Sequence, residues 1–271
     1  MVSVLPATAR ADTNQTMIYE VYAGGIHAVQ AKLDIHFTND KRYDLVLGAN
    51  TRGFLAKLAP WSGTFESHGW VVSADDFRPQ LHKSTANWRD EIELKEYKYK
   101  KDRTFDGLWV TDHDKPTYKK KIDDALTQGT TDALTAALLA MQEVGGGGDC
   151  EQSSEVFDGS RRFEMKFNHE NAEDLKASKY NIYEGPSVKC TVEVVPVAGK
   201  WHEKPRGWMS IQEQGRERGT MPTVWMGRLS KDGPAVPVKI MVKTAYGNLF
   251  MHLAEYRSGD EILIAEKRVL D

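Results

Sequence analysis

Val29-Gln30-Ala31-Lys32-Leu33-Asp34-Ile35-His36-Phe37 decides the fold of this chain. Apolar residues at every second position alternate with polar ones, the period-two signature of a strand with one buried and one wet face. A turn at Asn39, Asp40 and Lys41 hands over to Tyr43, Leu45 and Leu47, which predicts a hairpin. The same alternation returns at Phe163, Met165 and Phe167, at Val238, Ile240 and Val242, and at Leu249, Met251 and Leu253. Tyr246, Gly247 and Asn248 join the last two runs as a second hairpin, and further turns are marked at Asp106-Gly107, Asp158-Gly159 and Ser258-Gly259. Antiparallel meanders explain this spacing. The expected class is mainly β, with one large curved or spiral antiparallel sheet forming a half-open barrel.

One segment reads differently. Thr130, Thr131 and Asp132 offer an N-cap, Leu134, Ala137, Leu138 and Met141 share a helical face, and Gly145 stands where a C-cap would. An internal or flanking α-helix is therefore expected near residues 131–144, plugging the curved sheet. The glycine run 145–148 lacks the strand before it and the Lys-Ser or Lys-Thr after it that a phosphate loop needs, and reads as a hinge.

Composition bounds the function. With 28% charged residues and a formal charge of −3, the chain has no electrostatic footprint for nucleic acid. Its longest apolar stretch, residues 134–141, is far below the roughly 20 residues that span a bilayer, so no membrane span is expected. Residues 5–11, LPATARA, end in the small-x-small pattern of a signal peptidase site. Cleavage after Ala11 divides the chain into a residual signal-peptide tail, 1–11, and a single β-rich domain, 12–271. Two cysteines permit one disulfide, and in an oxidising compartment Cys150 and Cys190 are expected to form it. Closing that loop of forty residues contributes roughly 4 kcal/mol in the chain-entropy model.

Chemistry is sparse. The eight histidines are scattered without a His-Glu-x-x-His, no Gly-x-Ser-x-Gly elbow is present, and Asp112-His113-Asp114 is the nearest approach to a ligand cluster. No catalytic residue, cofactor or metal is expected. Residues 51–70, TRGFLAKLAPWSGTFESHGW, are densely apolar and aromatic, and serve either as core or as the lining of an acyl groove. Residues 91–103, EIELKEYKYKKDR, suggest a solvated edge strand guarded by lysines, or a basic patch.

Several stretches together resemble the exported proteins of Gram-negative bacteria grouped as domain-of-unknown-function family 3108. They are IYEVYAGGIHAVQAKLDI at 18–35, residues 51–70, FDGSRRFEMKF at 157–167, YEGPSVKCTVEVVPVAGKW at 183–201 and VPVKIMVKTAYGNLFMHLAEY at 236–256. The resemblance implies a periplasmic β-rich protein, similar to lipoprotein carriers that wrap a sheet around a helix, and it transfers no active site. The expected function is non-enzymatic maintenance of the cell envelope, with a lipid or other apolar ligand on the concave sheet face. Phe54, Leu58, Trp61 and Leu138 are the candidate lining, and Leu58→Glu or Trp61→Glu is expected to abolish ligand retention. The alternative is a scaffold that holds an envelope protein partner through exposed edges or the tryptophans of WHEKPRGW at 201–208, and a hydrolase ranks last.

Overall fold

The alternating run that opens the sequence lies in β2 (Ile26–Thr38), where Ala31, Leu33, Ile35 and Phe37 are buried and Lys32 faces solvent. The structure, a computed structural model, describes residues 13–38, 41–113, 115–204, 208–230, 233–244 and 247–269. The signal-peptide tail at 1–11 therefore lies outside the described residues, as do Asn39, Asp40, Asp114 and Tyr246.

Before the central helix come β1 (Thr13–Ala23), β2, β3 (Arg42–Thr51), the short helix α1 (Gly53–Leu58), β4 (Trp61–Val71), β5 (Phe77–Trp88), β6 (Glu91–Tyr99), β7 (Phe105–Asp112) and β8 (Tyr118–Lys120). A 3-10 turn at Asp124–Leu126 leads into α2 (Ala133–Gly145). After it come β9 (Gln152–Phe157), β10 (Arg161–Leu175), β11 (Gly185–Gly199), α3 (Trp208–Glu217), β12 (Thr223–Arg228), β13 (Ala235–Thr244), β14 (Gly247–Ser258) and β15 (Glu261–Ile264). The fifteen strands among the described residues belong to one antiparallel sheet in the order β8-β7-β6-β5-β4-β3-β2-β1-β14-β13-β12-β11-β10-β9, with β15 added on β14.

This order explains why the helix is internal. The chain starts mid-sheet, meanders outward to the edge strand β8, and must then reach the opposite edge, β9. It does so across the concave side, and α2 is that crossing. A helix so placed must be apolar nearly all round, and Ala136, Leu138, Ala140, Met141 and Val144 are buried. Asp132 caps its N-terminus, accepting from Thr135 N–H at 3.0 Å, while the C-cap falls at Gly146 rather than Gly145. Gly145 has a different reason to be glycine: a Cβ there would stand 2.8 Å from the Ala235 nitrogen, where the helix end meets β13.

The sheet is not closed into a barrel. Its edges approach through side chains instead: Tyr97 Oη donates to Asp158 O at 2.9 Å, Lys120 Nζ to Gly159 O at 3.0 Å, and Arg162 Nη1 to Ala125 O at 3.0 Å. Tyr97, Tyr99, Leu108, Val110 and Phe157 pack together at this seam. The expectation that residues 91–103 form a solvated edge is corrected here: β6 is paired on both sides, by β5 and β7. Its lysines are held locally, Lys95 by Glu93 and Lys98 over the Trp109 ring, rather than forming a basic patch.

Two ties fix the halves. Cys150, just beyond α2, and Cys190, in β11, form a disulfide with Cα atoms 6.3 Å apart, both fully buried. On the convex face, the segment after β15 folds back so that Arg268 Nη1 meets Glu20 Oε1 at 2.6 Å and its Nε meets Glu255 Oε2 at 3.0 Å. Both carboxylates are 1% exposed.

Candidate functional site

Between α2 and the concave sheet lies a cavity of about 370 Å³ with an apolar wall. Leu134, Ala137 and Met141 come from the helix, because the residues at i, i+3 and i+7 of α2 turn one stripe toward the sheet. Leu33 and Leu47 face them from β2 and β3, and Phe167, Val192, Met226, Ile240 and Met251 from the second meander. Tyr19 belongs to the same wall. Its hydroxyl is buried without a hydrogen-bond partner among the described residues, and burial raises its pKa, so it remains a neutral donor.

Trp208, 37% exposed, stands at the open side of the cavity, and the reason it sits there is local. Beyond Thr191, β12 no longer pairs with β11, which leaves the backbone of Val194 to be satisfied otherwise. Gln212 of α3, fully buried, fills the gap: its side chain accepts from Val194 N–H at 2.6 Å and donates to Val194 O at 2.9 Å. That two-way clasp anchors α3 and carries Trp208 over the cavity mouth.

The four lining residues expected from the sequence are not brought together. Leu138 is fully buried, on the face of α2 next to the cavity stripe rather than in it. Phe54 and Leu58 are 65% and 58% exposed on α1, which has no buried residue, and Trp61 stands at the start of β4 beside a separate shallow hollow. Their placement on the concave face is therefore corrected. Residues 53–58 are too few to reach back under the sheet, and Pro60 ends the helix so that the apolar run forms a knob at the strand ends. Substitutions at Leu58 or Trp61 do not test this cavity. Of the tryptophans of 201–208, Trp201 packs on Phe163 with ring centroids 6.3 Å apart and donates to Ala198 O, Trp208 stands partly exposed beside the cavity, and residues 205–207 lie outside the described set.

A second constellation superficially suits hydrolysis. Ser67 and His82 are cross-strand partners on β4 and β5, with Ser67 Oγ 2.8 Å from His82 Nδ1 and donating to Asp132 Oδ1 at 2.7 Å. Asp132 Oδ2 accepts from Thr135 Oγ1 at 2.7 Å, and Tyr43 Oη lies 2.7 Å from that hydroxyl. A triad needs the carboxylate on the far imidazole nitrogen and an open path to the serine. Here Asp132 lies on the serine itself, and Ser67 is fully buried. The cluster instead caps α2 and joins it to three strands, and burial together with the Asp132 charge raises the Tyr43 pKa. Asp132→Ala is expected to lower stability by about 2 kcal/mol, combining loss of the cap with loss of the acceptor to which the Ser67 and Thr135 hydroxyls donate. Asp132→Asn, which keeps an acceptor, should lose less; equal urea midpoints for the alanine variant and the parent would refute the assignment.

Asp112 ends β7 and pairs with Lys115 at 3.6 Å. Among the described residues no group of three or more His, Cys, Asp or Glu side chains is placed to hold a metal ion, and no helix is long and apolar enough to cross a membrane.

Fold and cavity together define a class: an open antiparallel half-barrel wound around a buried helix, with an apolar space between them. The chain belongs to the family described as protein of unknown function, DUF3108, whose model matches residues 18–254, from β1 through most of β14. No curated protein and no solved structure matches it.

Proposed function

We propose that this protein is a non-enzymatic component of the cell envelope, exported to the periplasm, that holds an apolar chain such as an acyl tail between α2 and the concave sheet. The observation that carries the proposal is the cavity itself. Protein interiors are normally close-packed, and a space of about 370 Å³ walled by aliphatic and aromatic side chains lies within the range of ligand sites. Burying ten methylenes there contributes about 8 kcal/mol, equivalent to micromolar affinity before the cost of association. The Cys150–Cys190 disulfide supports the export part of this reading, because such bonds persist in oxidising compartments.

The test uses a fluorescent apolar probe, N-phenyl-1-naphthylamine, titrated into the full chain. Ala137→Phe places a ring in the cavity from its helical wall. The expected result is probe binding by the parent and at least a roughly tenfold loss in the variant, with stability changed by no more than about 1–3 kcal/mol. Undiminished probe binding by Ala137→Phe would sink the proposal.

A further inference from the structure

The border around the cavity mouth carries apolar surface that the fold does not use. Strand registers bring four segments to this end of the sheet: the β1–β2 turn at Gly24 and Gly25, α1 beyond the end of β3, the β5–β6 turn after Trp88, and the start of β14. Gly24 N–H donates to Asn248 O at 3.3 Å, Arg52 N–H to Ala28 O at 2.8 Å, and Arg89 N–H to Pro60 O at 3.3 Å, so neighbouring segments are tied together. The strands that end here also carry Ala49 and Met251 into the cavity wall. From this border Ile26 (62% exposed), Phe54, Leu58 and Trp88 project into solvent.

Charge on the border departs from that of the chain. Residues 23–27, 51–61 and 243–249 hold Arg52, Lys57 and Lys243 and no carboxylate, in a protein of formal charge −3. At the β5–β6 turn, Arg89 lies over the Trp88 ring at 5.5 Å, beside Asp90 and Glu91.

We propose that this border docks on an anionic lipid bilayer, with Ile26, Phe54 and Leu58 seated at the boundary between headgroups and acyl chains, so that the cavity mouth opens onto the membrane. The apolar side chains come from the two ends of a six-residue helix and from the strand ends at Ile26 and Trp88, an irregular outline rather than one flat patch. A protein partner would need a matching pocket for each, whereas hydrocarbon accepts any outline. Trp88 has the amphipathic ring favoured at a membrane interface, and the cations complement anionic headgroups. The purpose of docking, to collect or release an apolar ligand, rests on the cavity proposal; the docking itself rests on exposure and charge.

The experiment is co-sedimentation of the full chain with phosphatidylcholine vesicles, with and without about a third of phosphatidylglycerol. The parent is expected to sediment with the anionic vesicles, and less so at high salt. Phe54→Ser with Leu58→Ser changes only exposed side chains; it should reduce partitioning at least about tenfold while leaving naphthylamine retention unchanged. Lys57→Glu with Lys243→Glu should weaken binding to the anionic vesicles alone. Failure of the parent to sediment with anionic vesicles overturns the docking surface, as does a double-serine variant that binds like the parent. A concentration-dependent dimer abolished by the serines, without vesicle binding, also overturns it and assigns the border to a second copy. Vesicle binding by a parent that retains no probe removes the ligand proposal and leaves the docking surface standing.

Discussion

Arg268→Met unfolds with about 3 kcal/mol less free energy than the parent, seen as a lower urea midpoint at unchanged slope. The cause is on the convex face, where the guanidinium meets Glu20 and Glu255, two carboxylates almost wholly out of water. Removing one partner of a buried ion pair leaves charge without compensation, which costs about 3–5 kcal/mol in general. The lower end applies here because other groups remain: His27 lies 2.5 Å from Glu20, Gln30 donates to it, and Arg257 meets Glu255 at 2.5 Å. The origin can be separated by a cycle. Adding Glu20→Gln and Glu255→Gln to Arg268→Met should recover more than half of the loss, since neutral amides need no counter-ion. A triple variant as unstable as Arg268→Met would place the effect in lost packing of the terminal segment instead.

Replacing both cysteines by alanine lowers stability by about 4 kcal/mol, the entropy returned to an unfolded chain freed from a forty-residue loop. Alanine is preferred to serine because both sites are fully buried and a hydroxyl there would add its own penalty. The check is the thermal midpoint of the oxidised parent, the reduced parent and the double variant. The latter two should agree and fall below the first; coincidence of all three would mean that packing around α2 alone holds the two parts together.

Much of the fold is legible because a strand with one wet face writes its period into neighbouring residues, as at Ala31, Leu33, Ile35 and Phe37. The helix is legible for the same reason, through Asp132 and the stripe from Leu134 to Met141. The edges misled. Residues 91–103 look like an exposed strand because lysines and glutamates alternate with tyrosines, yet Tyr97 and Tyr99 are buried where the two ends of the sheet approach. Nothing local signals that contact, since Phe157 arrives from the far side of the helix.

The cavity was harder still. Its wall draws one to three residues from each of many elements, so no run of sequence contains it, and the densest apolar run, 51–70, divides between the border, where α1 and Trp61 stand, and the strand β4. Helix α3 leaves no signature in the sequence: of its ten residues only Gln212 and Gly215 are buried, and a polar residue that does the anchoring leaves no apolar stripe. The cap cluster joins Tyr43, Ser67, His82 and Asp132 across separations that only the folded sheet makes short.

The pairing of β1 with β14 has a consequence for how the chain is made. Met17 lies opposite Tyr256, so β1 waits for β14, about 240 residues further along, before the middle of the sheet exists. Until then two half-sheets each present a long unpaired edge, the kind of surface that recruits other nascent chains. Contacts of such separation also make folding slow. A protein built this way should yield more soluble material when a holding chaperone is supplied in the compartment where it folds, even though its finished form leaves no central edge to guard.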